Sequence, residues 1–585
     1  MFSLVAAGVL LYVNSWHGSF HFDDYVYIVE AKGIRDLSHL KAIWHALGNP
    51  TRFVGMLSFA LDYHFHGFSV KGYHIVNTLL HAGTGLVVFL FVQELLRLDI
   101  FAQLSDGQRQ RIAWLSAALF LVHPLNSEPV DYICQRFTIL AAFFYILALY
   151  FFLLARRRSP KFFIGLFAAG LLGMFSKEIV FTLPVMILWT EGMLLTKGRG
   201  ERIYAKGWFW GILSLLLVIP VVTKFSVVRY VFVHNFDSWS HIGDTMNAYY
   251  YFLTQPKVVL RYILLFFVPL GQRLIYDIPT GKSFLEPKTF FSFLAMAVLL
   301  GGGLKFRKKY PLYVFGLGWF FIALLVESTI IPLRQVIFEH RCYLPSVGIF
   351  LGAAYFWETR MVSCSKKWIV AFLILGVLSF LTFKRNQVWH DELSLWSDVI
   401  QKTPGLTSPY THRGMTYMAL GKDNLALEDF NRAIQNNPKD GELYNNRGNL
   451  YLKHRLLNRA LADYDKALAL DPTLAKTYSN RGVIYKMRKQ YARALADYNR
   501  SLKLDPTSAV TYFNKANIYR RQERWEAALA QYSKAIQYQP KHAQAYFYRS
   551  QIYAYLGRKK EAREDARTAQ SLGLVIPKAY LEQLK

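Results

Sequence analysis

The chain has 585 residues, 53% of them hydrophobic and 16% aromatic, with 68 Lys and Arg against 39 Asp and Glu. That is too apolar for an ordinary soluble enzyme. Its basic residues stand in short blocks between apolar runs (Arg156-Arg157-Arg158, Lys305 to Lys309), which argues for membrane loops and against a nucleic-acid partner. Three cysteines, with no CxxC or His/Cys spacing, argue against a disulfide framework and a zinc site.

Residues 2–16 form a first apolar run ending at Trp16, an interfacial type. Met1 falls inside this run, which reads as a first membrane helix with an upstream start missing. Residues 17–72 are a long polar and aromatic loop carrying Asp23, Asp24, Arg52, Asp62, His64 and His66. A loop of that length between spans is more often functional than connecting. Further spans are expected near 73–96, 112–122, 137–155, 161–175, 179–195, 208–223, 289–304, 311–326, 343–358 and 368–383, about eleven in all. Residues 257–270 are short for a crossing and read as a surface helix or half of a hairpin. Placing every basic block on one side puts the N-terminus inside. The Asp23-Asp24 pair, the His123–Arg136 loop, Lys177-Glu178, 224–288 and the Glu327–Arg341 loop then share the outer face.

From Pro404 the texture changes. Pro404, Pro438, Pro472, Pro506 and Pro540 recur every 34 residues, in register with Tyr417, Tyr451, Tyr485, Tyr519 and Tyr553 and with Ala426, Ala460, Ala494, Ala528 and Ala562. That is the tetratricopeptide period, and such repeats stack into a superhelix with a concave binding face. The expected fold is all-α: a polytopic helix bundle over 1–384, a connecting half-repeat at 385–406, five repeats over 407–576 and a tail at 577–585.

Charge at membrane depth is a functional hypothesis by default. Moving a sugar from a lipid phosphate to a hydroxyl needs a carboxylate to take the hydroxyl proton and cations to hold the leaving phosphate. Asp23 and Asp24 are the candidate carboxylates, with Arg136 and Arg341 as phosphate partners. Arg52, His123, Glu128, Lys177, Glu178, Glu339 and His340 are candidate supporting residues. The bland alternatives are an Asp helix cap and arginines snorkelling to headgroups, and His64 and His66 fit an interfacial loop better than a metal site.

The chain resembles the transmembrane-and-tetratricopeptide-repeat (TMTC-type) O-mannosyltransferases, within the GT-C class of polytopic glycosyltransferases. The resemblance is carried by Phe22-Asp23-Asp24, Arg52 with Leu57-Ser58-Phe59, Gly72-Tyr73-His74-Ile75-Val76-Asn77 through His81-Ala82, and His123-Pro124 with Glu128. It continues through Ser176-Lys177-Glu178, the Glu339 to Gly348 run and Trp389 with Leu395-Trp396. The family's Arg-Pro stands here as Arg52-Phe53. The resemblance implies an inverting single displacement, with an Asp of the first loop as base and an Arg on the lipid phosphate. Asp23 is preferred as base, with Asp24 as its orienting partner, or as a metal ligand if a divalent metal is used. It further implies a polyprenyl-phosphate sugar (mannose in the family) as donor and a polypeptide Ser/Thr as acceptor. A bacterial inner membrane with periplasmic repeats is the expected setting.

In the repeats, Asn446, Asn480 and Asn514 occupy equivalent positions and resemble the asparagine ladder of O-GlcNAc transferases, able to hold an extended chain without reading its sequence. The same Asn-Arg-Gly pattern also fits a soluble repeat variant. The competing function is a membrane-anchored repeat scaffold, for which one span would suffice. A transporter is disfavoured because paired broken helices are not evident.

Overall fold

The computed structural model describes residues 2–45, 52–195, 248–328, 335–361 and 366–584, and these form helices and turns with no strand among them. The chain divides into two compact units, Met1–Thr403 and Pro404–Lys585.

In the first unit, five helical stretches among the described residues are long and apolar enough to cross a bilayer: Val70–Leu95, Ile133–Arg157, Glu178–Leu195, Pro287–Phe306 and Lys367–Val388. Leu4–Ser15, Pro160–Met174 and Pro311–Leu324 are shorter apolar stretches. The expected spans at 112–122 and 343–358 lie in helices of 17 residues (Asp106–Val122) and 15 residues (Ser346–Arg360). The 208–223 span lies outside the described residues. The apolar run at 257–270 belongs to a 20-residue helix, Ala248–Phe267, that tolerates Pro256 inside it.

Local chemistry sets the boundaries. Ser105 and Gln108 make a capping box that starts the Asp106–Val122 helix. Pro124 forces His123 into extended backbone and stops it. Pro311–Leu324 and Ser346–Arg360 cross at Gly316 and Gly348. A Cβ on Gly316 would stand 2.3 Å from the Gly348 carbonyl oxygen, so only glycine permits this backbone approach.

Charge collects at the two ends of the bundle. At one end Glu94 binds Arg97, Arg157 and Arg158, Glu191 binds Arg156, and Glu358 binds Arg111 and Lys367. The other end holds Asp24, Glu128, Lys177, Glu327, Glu339 and Arg385.

The second unit is five helix pairs, from Thr407–Ala419 with Asp423–Asn436 to Ala543–Tyr555 with Lys559–Ser571, closed by a short helix, Lys578–Gln583. Gly414, Gly448 and Gly482 face Phe430, Tyr464 and Tyr498 of the partner helices, which is the close approach their small size allows.

Candidate active site

The first loop is organised by Asp24. Its carboxylate is wholly buried: Oδ2 accepts the His21 amide at 2.9 Å and Oδ1 the Cys134 amide at 2.6 Å. Burial pushes its pKa up to about 7, against the pull of those two amides. His21 donates from Nε2 to the Trp389 carbonyl at 2.8 Å, tying the loop to the end of the Lys367–Val388 helix. Phe22 adopts φ +42°, a left-handed conformation costly for an aromatic residue, and packs edge-on against Tyr132 and Trp396. A π-helical turn, Tyr25–Val29, follows.

Asp23 sits between the strained Phe22 and the buried Asp24. Its amide donates to the Tyr132 hydroxyl at 3.1 Å, while the residue itself is exposed. The pair is therefore divided: Asp24 has its carboxylate spent on backbone amides, and Asp23 presents its own outward.

Arg52 is the cation on which the charge of Asp23 acts, together with that of Glu178. Its guanidinium lies over the rings of Tyr27 and Phe137, donates from Nη1 to the Tyr27 hydroxyl at 2.6 Å, and buries an Nε that has no acceptor among the described residues. Burial works against its charge, but Glu178, Tyr27 and Asp23 together hold its pKa above the usual value. Sequence reasoning gave Arg52 only a supporting place.

The two arginines expected to hold a phosphate both make bonds within the fold. Arg136 is fully buried: Nη1 pairs with Asp62 at 2.6 Å, Nε donates to Asn77 Oδ1 at 2.6 Å, and Nη2 donates to the Tyr73 carbonyl at 2.9 Å. Arg341 donates to the carbonyls of Val336 and Gln335 at 3.0 and 2.8 Å. Asp62 stood in view in the sequence, but nothing local linked it to an arginine 74 residues away.

Several supporting candidates meet in a buried network. Lys177 pairs with Glu327 at 2.9 Å and donates to Thr138 at 3.0 Å. Burial disfavours the Glu327 charge, yet Lys177 and Arg341 hold its pKa below the ordinary range. His340 Nδ1 lies 2.7 Å from Glu128 Oε1. Burial drives both towards neutrality, Glu128 up to about 7 and His340 well down. Glu339 accepts from Gln272, the Arg273 amide and the Tyr276 hydroxyl, and lies 3.9 Å from Arg385. His123 contacts the Phe266 carbonyl at 3.1 Å and accepts the Leu125 amide, a capping role. Sequence reasoning passed over Asp131 as a site residue. It is wholly buried, and burial pushes its pKa up to about 8 against the pull of Ser15 and Arg385.

No cluster of three or more His, Cys, Asp or Glu suited to a metal occurs among the described residues. In the repeats the asparagines already have bonds. Asn480 donates to Asn445 and Asn449, Asn514 accepts from Lys486 at 2.8 Å, and Asn446 accepts from Asn445.

Comparison with known proteins agrees with this architecture. Family models for the tetratricopeptide repeat match residues 441–474, 475–508 and 513–573, and one for the TPR repeat matches 414–454. Protein O-mannosyl-transferase TMTC4 of Homo sapiens is 24% identical over 480 residues, 68% of this chain and 61% of that protein. Protein O-mannosyl-transferase Tmtc3 of Drosophila melanogaster is 24% identical over 513 residues, 74% of this chain and 54% of that protein. The chain thus spans less than two thirds of the length of these relatives. With its apolar helices, its charged end and its repeats, the chain is similar, over about 70% of its length, to the TMTC-type protein O-mannosyl-transferases.

Proposed function

We propose that the chain is an inverting glycosyltransferase. It takes a sugar, mannose first among candidates, from a polyprenyl phosphate and joins it to a hydroxyl, Ser or Thr of a polypeptide, at the end of the bundle that carries Asp23. The observation that carries this reading is the division of the Asp pair into a buried, saturated Asp24 and an exposed Asp23, with Arg52 in electrostatic reach. The names of its relatives supply the sugar and the acceptor class.

Asp23 accepts the hydroxyl proton as the hydroxyl oxygen forms its bond to the anomeric carbon. The bond from that carbon to the phosphate oxygen breaks, and its electron pair leaves with the lipid phosphate. Arg52 neutralises the charge that gathers there, from a half-buried position where an ion pair is worth more than in water. The repeats capture the acceptor polypeptide on their concave face.

The test uses the purified protein in lipid nanodiscs with radiolabelled polyprenyl-phosphate mannose and candidate acceptor proteins. Acceptor-dependent transfer is expected in the wild type. Asp23→Asn should lower it by roughly 10²- to 10⁴-fold, with its thermal unfolding unchanged. Equal transfer by both proteins would remove Asp23 from the role of base.

A further inference from the structure

A cavity of about 480 Å³ lies between the Ala248–Phe267 helix, the segment 271–281 and the start of the Pro287–Phe306 helix. Lys257, Arg261, Arg273 and Lys288 line it, with Tyr276 and Asp277. Lys257 is partly neutralised by Glu286 at 3.6 Å. Arg273 spends Nη1 on the Lys402 carbonyl at 2.9 Å and Nε on the Gly271 carbonyl at 3.2 Å, and its Nη2 is not among these donors. The Lys288 carbonyl accepts the Ser292 hydroxyl at 2.6 Å, but no hydrogen bond or ion pair of the Arg261 or Lys288 side chain occurs among the described residues.

The two guanidinium groups converge. Both lie over the Tyr276 ring, at 5.9 and 5.2 Å. Their Nη2 atoms stand 3.7 and 3.8 Å from the point a Cβ of Gly271 would occupy, and Gly271 has φ +69°, where a side chain is disfavoured. No ion pair joins Asp277 or another carboxylate to either guanidinium among the described residues, and two like charges aimed at one spot become favourable when an anion bridges them. A phosphate presents oxygens in the geometry that guanidinium forks accept.

The surroundings indicate what carries that phosphate. The cavity opens at the N-terminal end of the Pro287–Phe306 helix, which is long enough to cross a bilayer and exposes Phe291, Leu294 and Val298. Cations at such a helix end lie at headgroup level. Leu274 and Ile275, within the same segment, pack in one apolar cluster with Phe22 and Tyr132, which places the cavity at the Asp23 end of the bundle.

We propose that this cavity binds the phosphate of an anionic membrane lipid, which lies with its chains along the Pro287–Phe306 helix. Arg52 is not among the residues that line it, and lipid binding there is tested without sugar transfer. The test uses the full chain in phosphatidylcholine nanodiscs, titrated with fluorescent short-chain phosphatidylglycerol, with short-chain phosphatidylcholine and inorganic phosphate as competitors. Saturable phosphatidylglycerol binding is expected, displaced weakly by either competitor. Arg261→Gln should weaken it about tenfold, the size expected for one charge-assisted hydrogen bond. Lys288→Gln, at an exposed position, should weaken it without touching the fold. Equal affinity in wild type and Arg261→Gln would overturn the proposal. Displacement by inorganic phosphate as effective as by the lipid would overturn the lipid assignment.

Discussion

The bundle and the repeats use the same ion pair in opposite ways. Four of the five repeats carry an Arg–Asp fork sixteen residues apart: Arg413–Asp429, Arg447–Asp463, Arg481–Asp497 and Arg549–Asp565, all at 2.7 to 2.8 Å. Each arginine lies between two tyrosines of its own helix at 5.6 to 6.0 Å, with its side chain 17 to 21% exposed. In the bundle the Arg136–Asp62 pair is 0% and 7% exposed and has no counterpart elsewhere in the chain's repeat pattern. A repeated, half-wet pair adds a modest increment per unit. A single dry pair is a condition of folding, because removing one partner strands the other.

The largest effect is therefore expected from Arg136→Gln. Leaving the Asp62 carboxylate buried and unpaired should cost about 3–5 kcal/mol, read as a large fall in the thermal midpoint of the detergent-solubilised protein. Replacing both residues together, Arg136→Met with Asp62→Leu, should restore most of it. A double variant no better than the single one would contradict the pair's role.

A smaller effect should appear with pH. Asp24 and Glu128 are pushed up to about 7 and Asp131 to about 8 by burial, whereas unfolded carboxyl groups ionise near 4. The folded state therefore holds protons that the unfolded chain has released. This contribution to stability is full below about pH 4 and is lost as pH rises through 7 and 8. The thermal midpoint should fall between pH 5 and 8.5, and Asp131→Asn should flatten the upper part of that fall. An unchanged slope in the variant would mean that Asp131 does not titrate in this window.

The smallest effect is a gain. The fourth repeat has Lys515 and Gln531 where the others have Arg and Asp, and the Lys515 ammonium is pushed down by burial and by nearby Lys534. Lys515→Arg with Gln531→Asp should complete the series and stabilise the repeats by about 0.5–1 kcal/mol. A loss in place of a gain would show that the fourth repeat is built around its lysine.

These contrasts also mark what the sequence could reveal. The repeats were legible because their signals recur: proline, tyrosine and alanine at fixed offsets each report the same local packing. The bundle was legible as a class, apolar runs between basic blocks, but its span count was not. Apolar length and helix length diverge there: the run at 112–122 belongs to a helix that begins at the capped Asp106, and 161–175 gives only the 12-residue Phe163–Met174 helix. At the candidate site, residue types were visible and partners were not. Asp24 and Asp23 look alike in sequence. Only the amides of His21 and Cys134, one of them 110 residues away, separate the buried carboxylate from the exposed one.

The block Arg156-Arg157-Arg158 has a consequence for biosynthesis. In the finished protein Arg156 lies 2.8 Å from Glu191, Arg158 lies 3.2 Å from Glu94, and Arg157 also pairs with Glu94. Glu94 is made before the block and Glu191 after it, so in the nascent chain Arg157 and Arg158 follow their partner while Arg156 precedes the acid that will pair with it. The fold then pairs each of the three with a carboxylate, while Arg157 and Arg158 stay exposed at the surface. A cationic block of this kind favours the side of the membrane from which a chain is inserted, and part of that signal persists on the folded surface.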